Sequence, residues 1–348
     1  MNGSYAALKT LPALFALLVV LTGALAQTSP REELPGLGPD GFVSVQSLAL
    51  GDGQTIYAGS FGGGIFKSDD GGRSWQVANE GLSDLFVYVV MVAPDQTLYA
   101  GTLKGGVFRS RNSGKSWMAA NAGLDRLETH VLMHHQGTLY AGTGSGVFRS
   151  KDQGDTWQSE NEGLSNLLIR ALVVDAKGMM YAGTTGMGIY RKPQGTSKWL
   201  RITQSQLSHP RDRLPENFVR ALVVNESGEL FAGTADNGVY VSGDRGETWR
   251  MAGRGVENAS IRALAIRGPS WFVGTGQGMY RSVDRGKNWT PINHGLTETS
   301  IQTFVVGKEG TVYAGTSAGI FKTEDDGAHW MPVNQGMGTS RKPLGPVH

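Results

Sequence analysis

The sequence contains no cysteine, and its charges nearly cancel. Cys 0 excludes disulfide bonds, thiolate metal sites, a cysteine nucleophile and the acylated cysteine of a bacterial lipoprotein. Lys+Arg 32 stand against Asp+Glu 30, a formal net charge of +2. No broad positive surface therefore favours nucleic acid as a partner, and the stability of the fold must come from packing.

Long apolar runs are also scarce, and the one that matters lies at the N-terminus. It follows Lys9, extends over residues 11–25 and ends in Ala-Leu-Ala at 24–26. This pattern is typical of a secretory signal peptide, since the run is short for a membrane span and no stop-transfer segment follows. We expect residues 1–26 to be removed, which leaves a formal charge of +1, no stable membrane span and a secreted or periplasmic protein. An uncleaved N-terminal anchor is the alternative.

Glycine, by contrast, is abundant at Gly 51, and short runs of Val, Thr, Tyr and Phe between the glycines indicate many short strands. Seven tryptophans recur at intervals of 42, 40, 42, 50, 40 and 41 residues. Such a period indicates a repeat architecture. The seven are Trp75, Trp117, Trp157, Trp199, Trp249, Trp289 and Trp330.

Each repeat contains two further boxes ahead of its tryptophan. The first is Tyr/Phe-Ala/Val-Gly-Ser/Thr, as in Tyr57 to Ser60, and the second joins a glycine to an aliphatic and an aromatic residue, as in Gly64 to Phe66. With the apolar run before the first box and the strand that opens at the tryptophan, each unit comprises four short strands. The sequence therefore predicts an all-β protein, a seven-bladed β-propeller of four-stranded antiparallel blades.

The repeats also set the predicted boundaries. Residues 43–335 form the propeller, between an N-terminal lead-in at 27–42 and a C-terminal tail at 336–348. No strand is left over for a blade shared between the chain ends. We therefore expect flanking segments to latch the ring, either residues 31–42 or the tail after Gly336.

A turn motif, S-x-D-x-G-x-[ST]-W, separates the third and fourth strands of most units. The aspartate accepts backbone N–H bonds, the glycine supplies a positive φ, and the tryptophan anchors the turn on the blade. The second unit has Asn112 for the aspartate, and the fourth, around residues 193–199, has lost the motif. The residues given this structural role are Asp70, Asp152, Asp244, Asp284, Asp325, Trp75, Trp157 and Trp249.

The repeated motif resembles the Asp-box, or bacterial-neuraminidase-repeat, propellers over essentially the whole mature chain. That family includes sialidases, xyloglucan-active glycosidases, sortilin-type receptors and the photosystem II stability and assembly factors. The resemblance implies that the Asp box is a structural turn on the face away from the usual active site. The architecture is most similar to the assembly factors, which are single seven-bladed propellers with a signal sequence and an arginine-rich recognition patch. Carried over, that patch corresponds to Arg170, Arg220 and Arg262.

Aligning the repeats at the start of the first strand gives one polar residue per blade, here called the polar column. Three consecutive blades carry arginine, and we expect their guanidinium groups to converge near the central channel on a carboxylate, phosphate or sulfate. Pairing with nearby carboxylates, or simple solvation, is the alternative. The polar column is Gln46, Tyr88, His130, Arg170, Arg220, Arg262 and Gln302.

The 50-residue interval contains the one sizeable insertion, residues 204–217, which brings Arg211 and Arg213 close to the column. A long loop on a rigid scaffold is a common place for recognition, although a drifting surface loop is equally consistent with the pattern. The candidate ligand-binding residues are Tyr88, His130, Arg170, Arg211, Arg213, Arg220 and Arg262.

Three histidines, His130, His134 and His135, resemble a metal site by composition. They cannot share one ion, because four strand residues span about 13 Å and adjacent side chains point to opposite faces. No metal and no cofactor is predicted.

These observations favour an exported, non-catalytic binding or scaffold propeller, and an assembly factor is one specific form of it. Its loop-rich face would recognise a segment of an envelope or secreted protein, or an anionic or carbohydrate ligand, and we expect a monomer. The alternative is a carbohydrate-active propeller, sialidase-like or another glycoside hydrolase. The sialidase propeller has six blades, however, and no tyrosine nucleophile with a glutamate partner can be placed here.

Overall fold

The computed structural model describes residues 43–202, 214, 218–307 and 310–338. All regular secondary structure in these ranges is β-strand, arranged as seven antiparallel sheets of four strands, each in sequential order. The predicted seven-bladed β-propeller is confirmed. The predicted signal peptide and lead-in lie outside the described residues, as do Arg211 and Arg213 and most of the insertion.

The strands follow one another blade by blade. Blades 1 to 3 are β1 Ser44–Leu50, β2 Ile56–Phe61, β3 Gly64–Ser68, β4 Gln76–Val77; β5 Val87–Val92, β6 Leu98–Thr102, β7 Val107–Ser110, β8 Met118–Ala119; and β9 Thr129–His135, β10 Thr138–Thr143, β11 Gly146–Ser150, β12 Gln158–Ser159. Blades 4 and 5 are β13 Ile169–Val174, β14 Met180–Thr184, β15 Ile189–Lys192, β16 Leu200–Arg201; and β17 Val219–Val224, β18 Leu230–Thr234, β19 Val239–Ser242, β20 Arg250–Met251. Blades 6 and 7 are β21 Ile261–Arg267, β22 Ser270–Thr275, β23 Gly278–Ser282, β24 Thr290–Pro291; and β25 Ile301–Val306, β26 Val312–Thr316, β27 Gly319–Thr323, β28 Met331–Pro332.

The glycine of the Tyr-Ala-Gly-Thr box allows neighbouring blades to pack closely. A Cβ placed on Gly59 of β2 would lie 2.7 Å from Val87 Cγ1, a buried residue of the next blade. A Cβ on Gly315 of β26 would lie 2.7 Å from Val45 Cγ1, across the junction between the last blade and the first. The glycine of the box is therefore required for packing, because its backbone contacts an aliphatic side chain of the next blade and leaves no room for a methyl group.

Most of the repeat tryptophans fasten their blade to the preceding one. Trp117 donates its peptide N–H to Glu80 O and its indole N–H to Ala78 O, both at 2.8 Å. Gly81 must approach closely, since a Cβ there would lie 2.2 Å from Trp117 O. The same indole-to-carbonyl bond to the preceding blade is made by Trp75, Trp117, Trp157, Trp199, Trp289 and Trp330.

The ring closes through this same contact. Trp75 of blade 1 donates its peptide N–H to Gln335 O and its indole N–H to Val333 O, both at 2.8 Å. Met337 is fully buried in a cluster with Val43 and Trp75. Residues 333–337 therefore join the two ends of the propeller, and packing continues two residues past the predicted boundary at 335.

The Asp-box turns are built from side-chain hydrogen bonds. Asp70 accepts the hydroxyl of Ser74 at 2.6 Å, its peptide N–H at 2.9 Å and the hydroxyl of Ser68 at 2.8 Å. These bonds stabilise the carboxylate and lower the pKa of Asp70 to about 2. Hydrogen bonds of the same kind lower the pKa of Asp152 and Asp284 to about 2.

Blade 4 replaces the lost turn with a buried ion pair. Lys192 occupies the position of the motif serine, is only 6% exposed, and contacts the carboxylate of Glu160 in blade 3. Arg149 holds the other oxygen of Glu160 at 2.9 Å. At the next junction Leu214, the one described residue of the insertion, is buried in the cluster that contains Trp249.

Candidate functional site

Every residue of the polar column lies at a β-bulge. In blade 1, Val45 is opposite Ser60 and Ser47 is opposite Gly59, so that Gln46 has no partner on β2. The same register shift occurs at the corresponding residue of the other six blades. A bulge turns a side chain away from the strict alternation of a strand. In each blade the bulge therefore turns one polar side chain out of the regular alternation of the strand.

The seven side chains of the polar column meet at one cavity, here called the channel mouth. The cavity has a volume of about 360 Å³, and Thr185, Phe218 and Val219 complete its lining. The three arginines come from consecutive blades, as the repeats predicted, and Tyr88 and His130 lie beside them. The sequence alignment of the repeats thus corresponds to one surface in space.

His130 and Arg170 contact each other at the edge of this cavity. Arg170 Nη1 lies 3.0 Å from His130 Nδ1, and Arg170 Nε donates to Thr185 Oγ1 at 3.3 Å. Because a guanidinium only donates, Nδ1 is the acceptor and the ring proton is on Nε2. Nε2 lies 2.9 Å from Glu128 Oε1, but at an angle outside the range of a hydrogen bond.

The imidazole is neutral in this setting. Burial, and then the charge of Arg170, lower the pKa of His130 to about 3. The ring of Tyr88 packs edge-on against His130, with centroids 4.5 Å apart. Burial raises the pKa of Tyr88 above its usual 10. Tyr88 of blade 2 and His130 of blade 3 therefore place two uncharged rings beside Arg170, and His130 holds its guanidinium group by a hydrogen bond.

The other two arginines lean on serines of the following blade. Arg220 Nη1 donates to Ser260 Oγ at 3.4 Å, and Arg262 Nη1 donates to Ser300 Oγ at 2.9 Å. Burial, together with the nearby charge of Arg220, lowers the pKa of Arg262. These two guanidinium groups are therefore like charges that act on each other.

Among the described residues, no carboxylate forms an ion pair with the arginines of the column. No carboxylate oxygen in those ranges lies within 4.0 Å of the guanidinium nitrogens of Arg170, Arg220 or Arg262. Ion pairing with neighbouring acids, the alternative weighed from the sequence, does not occur within this part of the chain. The cavity carries positive charge that its described lining leaves uncompensated.

A second ring of residues surrounds the column, and reasoning from the sequence missed it. Its members lie two positions before each column residue, so the same alignment of repeats contains the signal. They are apolar in blades 2, 4 and 5, acidic in blade 3, and serine in blades 6, 7 and 1. The ring is Ser44, Phe86, Glu128, Leu168, Phe218, Ser260 and Ser300.

Two other findings concern the wider chain. In the described residues, no group of three His, Asp or Glu side chains is arranged to hold a metal ion. Nor does that part of the chain include a helix long and apolar enough to cross a membrane.

The blades, the Asp-box turns and the polar channel mouth define a β-propeller of the Asp-box repeat class. Comparison with known families agrees: the BNR-Asp box repeat matches residues 279–292, and the DUF6242 beta propeller domain matches residues 64–259, more than half of the chain. The chain belongs to the DUF6242 beta propeller domain family. No curated protein sequence matches it.

Solved structures share the fold at low sequence identity. The extracellular domain of BT4673 from B. thetaiotaomicron superposes with a TM-score of 0.67 at 20% identity, covering 82% of this chain and 38% of that one. The GH74 xyloglucanase from Xanthomonas campestris gives 0.68 at 16%, covering 85% and 55%. YCF48 bound to D1 peptide gives 0.61 at 14%, covering 80% and 91%. The chain thus spans 38% of the first of these proteins, and at such identities the likeness concerns the fold alone.

Proposed function

We propose that the channel mouth is an anion-recognition site and that the protein is an extracytoplasmic, non-catalytic binding propeller. The observation that carries the proposal is the cavity with Arg170, Arg220 and Arg262 on consecutive blades and no carboxylate within 4.0 Å of them among the described residues. A guanidinium presents a planar fork of donors that matches carboxylate, phosphate or sulfate. The like charges of Arg220 and Arg262 repel each other, and a bound anion relieves that repulsion.

Binding rather than hydrolysis fits the chemistry of the lining. Glycoside hydrolysis ordinarily uses two carboxyl groups that flank the scissile bond. The described residues that line this cavity include no carboxylate. Among these lining residues, His130 alone has an ordinary pKa near neutrality. Burial keeps its ring uncharged, and its Nδ1 accepts a hydrogen bond from Arg170.

The cellular setting rests on two observations. The N-terminal residues 1–26 have the pattern of a cleaved signal, and the structural neighbours include an extracellular domain. YCF48, a neighbour over 91% of its own length, has been solved with a peptide bound. A protein segment is therefore a reasonable ligand for this propeller as well.

Side-chain NMR of the mature chain tests the anion site directly. The Nε–H resonances of Arg170, Arg220 and Arg262 should shift in a saturable manner on titration with acetate, phosphate, sulfate or glucuronate. Arg250→Gln, on the outer strand β20, is the matched control and should leave the titration unchanged. The triple replacement of the mouth arginines by glutamine should abolish saturable binding while the thermal unfolding transition persists.

Resonances of the three arginines that move only linearly with salt in the parent chain would refute the proposal. A panel of fluorogenic glycosides tests the carbohydrate-active alternative. Turnover that exceeds the buffer rate and disappears in the triple variant would show that the mouth is an active site.

A further inference from the structure

The face that carries the arginines also carries exposed apolar side chains, here called the apolar arc. They sit on the loops that lead into the first strands of four consecutive blades, 2 to 5. Single exposed apolar residues are common on protein surfaces, but their repetition two or three positions before the column residue of four consecutive blades is not. The arc is Leu85 at 37% exposure, Leu127 at 38%, Leu167 at 39%, Leu168 at 38% and Phe218 at 45%.

Phe218 links the arc to the arginines. It lines the same cavity as Arg170, Arg220 and Arg262 and precedes Arg220 by two residues. Its backbone is fixed on both sides, by a bridge to Thr185 and by the N–H of Ala235, which donates to Phe218 O at 3.1 Å. The backbone of this half-exposed residue is thus held by blade 4 and blade 5.

The opposite side of the mouth is polar. Ser260 and Ser300 accept from the guanidinium groups, and Gln302 donates to Ser300 Oγ at 3.2 Å. Gln46 donates to Ser44 Oγ at 2.8 Å. The mouth therefore has apolar residues over blades 2 to 5, interrupted by Glu128 of blade 3, a cationic centre over blades 4 to 6, and a neutral polar side over blades 6, 7 and 1.

We infer that the ligand of this mouth is an extended peptide segment in which an acidic side chain lies against Arg220 and Arg262 while an adjacent apolar side chain packs on Phe218 and Leu168. The inference rests on the proposed anion site and specifies its ligand. Uncompensated positive charge selects an acid, and the arc beside it selects aliphatic or aromatic surface. An inorganic anion has nothing to place on the arc, and a sugar acid presents hydroxyl groups to it.

Fluorescence anisotropy with labelled heptapeptides tests this ligand. The probe is Gly-Ser-Leu-Asp-Leu-Ser-Gly, and two matched peptides replace both leucines by serine or the aspartate by asparagine. The first peptide should bind the mature chain, and either replacement should weaken binding by about tenfold, the effect of about 1.4 kcal/mol of lost interaction. The leucine replacement tests the arc and the asparagine replacement tests the arginines.

Protein variants separate the two contributions. Phe218→Ser and Leu168→Ser should each weaken the first peptide by about tenfold and leave the serine peptide unchanged, whereas Arg262→Gln should weaken every peptide that keeps the aspartate. Met118→Ser, a 70% exposed residue of the outer strand β8, and Arg250→Gln are the matched controls. Unchanged thermal unfolding of each variant confirms that its fold is intact.

The outcomes distinguish this inference from the proposed function. If acetate and phosphate still titrate the arginines but the leucines and Phe218 make no difference to peptide binding, the peptide inference is wrong and the anion site stands. The peptide inference is equally wrong if the anions bind and no peptide does. If neither anions nor peptides depend on the arginines, both proposals fail.

Discussion

Arg170 of blade 4 donates a hydrogen bond to Nδ1 of His130 in blade 3 at 3.0 Å, so that the histidine accepts from a positively charged side chain. The arrangement requires a neutral imidazole, because a protonated ring has no lone pair to offer the guanidinium. Burial and the positive charge of Arg170 ensure this by lowering the pKa of His130 to about 3. The mouth of the channel is thus organised between two blades before any ligand arrives.

The first prediction concerns acid stability and His130. The unfolded chain binds a proton at this residue near pH 6.5, whereas the folded chain binds it near pH 3. Between these values the unfolded state holds more protons, so the free energy of unfolding should fall as the pH drops from about 6.5 towards 4. His130→Gln keeps a neutral acceptor and should flatten this part of the profile. Denaturant unfolding between pH 6.5 and pH 4 measures this dependence, and His294→Gln, at an exposed residue, is the control. If the free energy of unfolding falls equally steeply with pH in both variants, His130 is not the source of the dependence.

The second prediction concerns the Asp-box turns, which act at lower pH. The pKa of the Asp152 carboxylate falls from 3.8 in the unfolded chain to about 2 in the folded protein. The carboxylate therefore stabilises the fold at pH values above 3.8, and this contribution is lost as the pH falls to about 2. Asp152→Asn should therefore lower the unfolding free energy at pH 7 and converge with the parent chain below pH 2. Asn112, which receives the Ser116 N–H at 2.9 Å in blade 2, shows that the amide is compatible with the turn. A constant difference at every pH would mean that the charge of Asp152 is irrelevant.

The third prediction compares two equivalent tyrosines. Tyr99 donates its hydroxyl to Gln153 O of the next blade at 3.1 Å. The same carbonyl also accepts from Arg109 Nη1 at 2.7 Å. At Tyr181 the corresponding carbonyl, Arg245 O, accepts from Arg191 Nη1 at 3.1 Å, but the buried hydroxyl of Tyr181 has no partner among the described residues. Tyr181→Phe should leave the free energy of unfolding unchanged or raise it, whereas Tyr99→Phe should lower it by about 1 kcal/mol. Thermal and denaturant unfolding of both variants measure this difference. Equal losses of unfolding free energy would show that the two hydroxyls have equivalent partners.

Periodicity predicted most of this structure and failed at identifiable places. Seven copies of each box fixed the number of blades, and alignment of the repeats placed residues as distant as Gln46 and Gln302 around one cavity. The bulges were not predictable, because one unpaired residue looks the same in a sequence as one step of a regular strand.

Contacts between blades escaped prediction for a different reason. The pairing of His130 with Arg170, and of Lys192 with Glu160, joins residues 40 and 32 positions apart. No short motif records such pairs. The apolar arc was missed because a half-exposed leucine has the same sequence signature as a buried one.

The last prediction tests how the ring closes. Gly336 has a φ of 91°, and a Cβ there would lie 2.1 Å from the carbonyl oxygen of Trp75 in blade 1. Gly336→Ala should therefore separate the ends of the propeller and lower the unfolding free energy by more than about 1 kcal/mol, since both the backbone conformation and the contact oppose a methyl group. Gly338→Ala, where a Cβ would meet nothing within 4 Å, is the matched control. Hydrogen exchange should show faster opening at Trp75 in the first variant and not in the second, because Trp75 N–H donates to Gln335 O at 2.8 Å beside the altered residue. Equal exchange in both variants would mean that residues 333–337 do not hold the ring shut, and that closure depends on the packing of Val45 against Gly315.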